Sequence, residues 1–282
     1  MIFKNAMSFK AKIKQLAKEK GLTTAQIQQN YLIEIFLTQL AKSEYCDNFI
    51  VKGGYLIGSL IGIDLRTTMD LDATLRGIEL TAMNLEKIVK EIIKIESDSS
   101  FTLFYDSITE IREINEYPGF RVKLNARYER ISEVILIDVT TGDIITPKEM
   151  SFNFKKMFQE CELNLLTYPI ETVLSEKLQT ILSRGVASTR PRDFYDVYIL
   201  SKLKAEEIDY PTLKLSIDNT FEKRQTKIDN EEINLVLNEI VESEFQEQLW
   251  KKYQTQYPYA KETSFNEVVN SVKLLMERVS MS

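Results

Sequence analysis

The stretch "FIVKGGYLIGSLIGIDLRTTMDLDATL", Phe49 to Leu75, joins an apolar run, a glycine pair, a second apolar run and the acid triplet Asp70-Leu71-Asp72. Residues 49–52 read as a short strand and 55–62 as a short helix. Residues 68–75 alternate, with Met69, Leu71, Ala73 and Leu75 on one face, and read as a second strand. In such a strand Asp70 and Asp72 share the other face, roughly 6–7 Å apart along the chain. Two like charges that close are unfavourable unless something positive lies between them. A divalent cation is the common remedy, and Mg²⁺ takes one or two carboxylates together with phosphate oxygens. Gly53-Gly54 supplies backbone N–H groups at a helix start, with no Cβ to hold a phosphate away. The stretch therefore reads as a metal–nucleotide site. The competing reading is a solvated strand face, because the D-x-D triplet is common.

Working outward, a third acid bears on that choice. "EVILIDVTTGD" puts Asp138 at the end of an apolar strand, where a carboxylate needs a partner. If that strand pairs beside the first, Asp138 joins Asp70 and Asp72 in a three-carboxylate cluster of the kind used in two-metal phosphoryl chemistry. Otherwise Asp138 only begins the turn over 139–142. Arg66 and Thr68 flank the acid pair, where they could fix phosphate or metal-bound water or simply cap the loop. Lys52, just before the glycines, reads equally as a phosphate contact or a salt bridge.

Composition narrows the chemistry. The 282 residues are 44% hydrophobic and 28% charged, as in an ordinary globular protein, and are enough for two domains. There is no histidine, so Ser-His-Asp triads, histidine bases and His-ligated zinc are excluded. Cys46 and Cys161 lack metal spacing and fit a reduced, cytoplasmic protein. The net charge of −6 means that any nucleic-acid contact needs a local basic patch. No apolar run reaches the length of a membrane span, and "MIFKNAMSFKAKIKQLAKEKG" lacks the apolar core of a signal peptide.

Residues 8–42 read as helices, with Ser8 as the first cap and a stop at Gly21. An amphipathic helix is expected over 83–97. Three strand candidates follow, "FTLFYDSITEIRE", "FRVKLNARYE" and "EVILIDVTTGD", with Tyr117-Pro118-Gly119 as the first turn. From 168 onward the periodicity is helical; Pro169 and Gly185 bracket one helix and "RPRDFYDVYIL" opens the next. The expectation is an α+β domain over 1–150 and a helical domain over 151–282. Asp193 sits near a helix N-terminus and shares a face with Asp196; Arg190 and Arg192 could hold phosphates. An ordinary cap plus a surface ion pair with Arg184 or Arg192 accounts for the same letters. Tyr253, Tyr257 and Tyr259, near Lys251, Lys252 and Lys261, could stack nucleotides, although a hydrophobic cap on the helical domain is the preferred reading.

"DLDATL" also matches the D-x-D-x-T-L of phosphatases of the haloacid dehalogenase type, with "ILIDVTTGD" as their late acid motif carrying Asp138 and Asp143. In those enzymes the first acid follows a buried parallel strand, whereas here it follows the mostly polar Arg66-Thr67-Thr68-Met69. A non-catalytic nucleotide-binding or interaction module is the other alternative.

K-G-G, R-x-T-x-D-L-D and R-P-R-D-x-Y-D, in this order along nearly the whole chain, resemble the AbiEii/AbiGii toxin family of nucleotidyltransferases. The resemblance implies a DNA polymerase β-like nucleotidyltransferase domain with a mixed sheet, followed by a helical domain that completes the active-site cleft. It implies Asp70 and Asp72 as metal-binding acids, with Asp138 as the superfamily's third acid. Lys177 of "SEKLQTIL" and Asp193 of "RPRDFYDV" match the family's further catalytic positions, and Gly53-Gly54 its phosphate turn. A literal Gly58-Ser59 also has the superfamily's spacing to Asp70. The implied cofactor is Mg²⁺ or Mn²⁺, the substrate a nucleoside triphosphate, and the acceptor RNA, above all the tRNA 3′ end. The implied setting is a bacterial abortive-infection toxin–antitoxin system for phage defence, with a cognate antitoxin as partner.

Overall fold

The computed structural model describes residues 2–112 and 118–281. They form two compact units, one of residues 1–143 and 150–167, the other of 144–149 and 168 onward.

The first unit is built on a mixed seven-stranded sheet in the order β3-β4-β5-β2-β1-β7-β6. Its strands are β1 (Phe49–Lys52), β2 (Leu71–Leu75), β3 (Thr102–Arg112), β4 (Pro118–Tyr128), β5 (Ile131–Thr140), β6 (Met150–Lys155) and β7 (Glu162–Thr167). β2 lies in the middle, antiparallel to β1 and parallel to β5. The register puts Phe49, Val51, Ala73, Leu75, Val122, Ile137 and Val139 on one face, and all are buried. Helices α1 (Ala6–Lys20), α2 (Thr24–Ala41), α3 (Gly53–Ile61) and α4 (Ala82–Ile92) complete the unit. α2 is buried almost throughout, from Gln26 to Leu40.

Local chemistry sets the helix ends. α1 starts at Asn5, whose side chain accepts from the Ser8 N–H while the Ser8 hydroxyl takes the Asn5 N–H, so Ser8 closes a capping box instead of being the cap. Gly21, at φ 65, ends the helix in the left-handed region. α4 stops at Ile92, short of the expected 97. Tyr117 lies outside the described residues, and Pro118 and Gly119 are the first residues of β4. β2 is shorter than expected: it begins at Leu71, Asp70 precedes it, and Met69 is exposed. The expected boundary at 150 also differs from the observed partition. The alternating "MSFNFK" and "ELNLLT" form β6 and β7, which pair with each other and, through β7, with β1. That alternation buries Phe154, Leu163 and Leu165 and so ties the hairpin to the first unit.

The second unit is helical: α5 (Ile170–Arg184), α6 (Pro191–Leu203), α7 (Tyr210–Lys223), α8 (Asn230–Glu242), α9 (Glu244–Gln256) and α10 (Phe265–Ser280). Leu174, Leu178, Phe194, Leu200, Leu213, Val268 and Val272 form its core. No helix among the described residues is long and apolar enough to cross a membrane.

Candidate active site

Cross-strand register assembles the polar residues of the first unit. Lys52 pairs with Asp72, Asp72 with Asp138, and Asp138 with Arg121. Residues directly opposite in a sheet point to one face, so these four form a lateral row across β1, β2, β5 and β4. Thr74 and Thr140, two residues further along β2 and β5, lie opposite each other on the same face.

Gly53 opens α3 at φ 68, a region that favours glycine. A Cβ there would lie 2.1 Å from Oδ2 of Asp72, so the carboxylate is seated directly against the bare backbone where the helix begins. Gly54 is closely packed too: a Cβ would lie 3.0 Å from both Nη2 of Arg66 and Oγ1 of Thr68. One turn on, a Cβ at Gly58 would come within 2.4 Å of the Arg66 carbonyl oxygen. The glycines therefore let α3 lie directly on the segment that leads into the acids. Gly58 is a packing glycine inside the helix, and the Ser59 hydroxyl donates to the Tyr55 carbonyl. The helix N-terminus belongs to Gly53-Gly54.

The loop carrying Asp70 is pinned. Asn30 of α2 donates to Thr67 Oγ1 and to the Thr68 carbonyl, at 2.9 and 3.1 Å. The Thr68 hydroxyl donates to Asp70 at 2.6 Å. Arg66 is buried, donates to the Thr67 carbonyl and has its guanidinium against Gly54 of the glycine turn. Lys52 donates to Asp143 at 2.7 Å and to the Thr140 hydroxyl at 2.9 Å, and Thr74 and Thr140 also donate to Asp143. The salt-bridge reading of Lys52 is the one observed.

The expected three-carboxylate cluster is not formed. The described residues contain no group of three or more acids placed to hold a metal. Asp138 stands beside Asp72, but Arg121 takes both of its oxygens: Nε donates to Oδ1 and Nη2 to Oδ2, each at 2.7 Å. Asp138 holds the Arg121 guanidinium more firmly protonated than usual, with smaller contributions from the charges of Asp70 and Asp72. Asp70 and Asp72 supply hard oxygen donors only, a set suited to Mg²⁺ or Mn²⁺, which take few protein carboxylates and complete their shells with water and phosphate oxygens. Sequence reasoning missed Arg121 and the anchoring role of Asp143; in "FRVKLNARYE" the period-two pattern of Arg121, Lys123, Asn125 and Arg127 marks the polar face.

In the second unit Lys177, on α5, donates to Asp193 at 2.6 Å and pairs with Asp196 at 2.9 Å, both on α6. The carboxylates are 1% and 0% exposed, and the lysine side chain 13%. Arg190, at the N-cap of α6, approaches Asp193 from the other side at 3.1 Å. Two cations thus balance two buried anions, as buried charge requires. The alternative reading, a surface pair with Arg184 or Arg192, gives way to this network, and Arg192 is exposed. Tyr253 is buried against Tyr195 and Tyr257, and Tyr257 stacks on Tyr259 at 5.4 Å, so the aromatic cluster closes on itself as a cap.

Comparison with known proteins places the fold and the family. Two solved structures share the fold. One is a candidate nucleotidyltransferase from H. pylori, with a TM-score of 0.52 at 13% identity, covering 92% of this chain and 98% of that one. The other is JHP933 from Helicobacter pylori, with a TM-score of 0.52 at 15% identity, covering 92% and 95%. No curated protein matches the chain. The model of the nucleotidyl transferase AbiEii toxin family, type IV toxin–antitoxin system, matches residues 35–271. The mixed sheet with its helices is a nucleotidyltransferase-like fold, and the chain belongs to the AbiEii family of nucleotidyltransferase toxins from type IV toxin–antitoxin systems.

Proposed function

We propose that this chain transfers a nucleotide from a nucleoside triphosphate to an RNA acceptor, the tRNA 3′ end, in a Mg²⁺- or Mn²⁺-dependent reaction. The observation that carries the proposal is the seating of the Asp72 carboxylate against Gly53 at the opening of α3, with Asp70 fixed just before the strand by Thr68. Acidic oxygens beside a helix N-terminus are what a cation–triphosphate complex needs: carboxylates for the cation, oriented N–H groups for the phosphates.

Asp70 and Asp72 would hold the divalent cation, which when bound neutralises charge on the triphosphate and on the departing pyrophosphate. The Gly53-Gly54 backbone binds phosphate oxygens, and Arg66 and Thr68 keep that turn and Asp70 in place. Lys52, paired with Asp143, holds the end of β1 where α3 begins. Lys177, paired with Asp193 and Asp196, is the proposed catalytic cation of the second unit. The acceptor hydroxyl attacks the α-phosphorus as the bond to the β-phosphate oxygen breaks, giving the extended RNA, pyrophosphate and a proton. Such transfer in the cytoplasm arrests growth and underlies phage defence by abortive infection, opposed by the cognate antitoxin.

The test is incubation of the purified protein with total RNA and each of the four α-labelled nucleoside triphosphates. Label should enter RNA with at least one nucleotide and be lost in Asp72→Ala. No incorporation from any of the four would remove the proposal.

A further inference from the structure

The row of charges across the sheet contains more than the family reading uses. Asp138 lies opposite Asp72 in the parallel β2–β5 register, where a third metal-binding acid would stand. Both of its oxygens are taken by Arg121, which projects from the next strand at the same level of the sheet. The guanidinium also feels the charges of Asp70 and Asp72. Two of its five N–H donors go to Asp138, and the others meet no acceptor among the described residues. Lys52 at the other end of the row is neutralised by Asp143.

We infer that Arg121 is a positioning residue that closes Asp138 to metal, so that the site takes one divalent cation, on Asp70 and Asp72, with the guanidinium as a fixed second positive charge. This rests on the metal reading of Asp70 and Asp72. The planar fork of the guanidinium fits that role, because two parallel N–H···O bonds hold the carboxylate in one orientation, which an ammonium cannot do. The position is also independent of cation concentration, unlike a second bound ion.

The experiment counts Mn²⁺ bound to the full chain by electron paramagnetic resonance, with Mn²⁺ alone and with each of four non-hydrolysable nucleoside triphosphate analogues. The wild type should bind one ion, and Asp138→Asn should leave the count at one with affinity changed less than about twofold. Arg121→Gln, which frees Asp138, should bind two, and Arg121→Gln with Asp138→Asn should return to one. A merely structural Arg121 would shift thermal melting without changing the count. Two ions in the wild type, one of them lost in Asp138→Asn, would overturn the inference and leave the metal reading intact. One ion in Arg121→Gln would also overturn it. No bound ion in any variant would overturn the metal reading and this inference together.

Discussion

Replacing Gly53 by alanine tests the geometry of the site at its tightest point. Two costs can be separated. The first is conformational: Gly53 has φ 68, and a left-handed backbone costs a residue with a Cβ about 1–2 kcal/mol. The second is local: the new methyl would lie 2.1, 2.7 and 2.9 Å from Oδ2, Cγ and Cβ of Asp72, so the carboxylate must rotate away. Gly21 isolates the first cost, because it has φ 65 and nothing within 4 Å of its missing Cβ. At about 2–4 °C per kcal/mol, Gly21→Ala should lower the melting temperature by roughly 2–8 °C and leave nucleotide transfer unchanged. Gly53→Ala should lose a similar amount or somewhat more stability. Because a catalytic group displaced by about 1 Å costs on the order of 10²-fold, transfer should fall by at least that factor. The assay is thermal melting in parallel with label incorporation for both variants. Equal activity of Gly53→Ala and Gly21→Ala would refute the claim that Asp72 must sit against the opening of α3.

Three further outcomes follow from the packing of buried charges. Lys177→Met removes the lysine that pairs with two carboxylates 1% and 0% exposed, so it should destabilise the chain by about 3–5 kcal/mol, visible in urea unfolding; a loss below about 1 kcal/mol would contradict the network. Asp196→Asn, which keeps one anion for Lys177 and the shape of the other, should cost less stability than Lys177→Met in the same urea series. Glu34 is buried on α2 and accepts from the Met157 N–H at 2.6 Å, and burial pushes its carboxyl above the usual range. The stability its protonated form confers is complete below the ordinary glutamate value and is lost as pH rises through the raised one, so Glu34→Gln should melt higher than wild type at neutral pH and converge with it in acid. A gain that is the same at every pH would show that ionisation of Glu34 is not its source.

The parts of the fold carried by local signals were readable from sequence. The β1–glycine–α3 unit follows from "FIVKGG" and an apolar helical run, and the strands 102–112, 118–128 and 131–140 follow from alternation. Partnerships made by register were not readable. Arg121 and Asp138 are 17 residues apart and meet only because β4 and β5 align them; Lys52 and Asp143 are 91 apart. The reasoning that an acid ending an apolar strand needs a partner holds for Asp138, but the partner is a guanidinium on the neighbouring strand. Alternation through Met69 extends β2 back over Asp70; in the structure Asn30 and Thr68 hold that segment as a loop, and Met69 faces solvent. The pairing of Lys177 with Asp193 and Asp196 needed the packing of α5 on α6, which helical periodicity alone does not give.

The most direct test is the intact mass of a purified tRNA after incubation with the protein, Mg²⁺ and the four nucleoside triphosphates. Nucleotide transfer predicts a gain of one or more nucleoside monophosphate residues with wild type and none with Asp72→Asn. An unchanged RNA mass, with inorganic phosphate released in place of pyrophosphate, would contradict it.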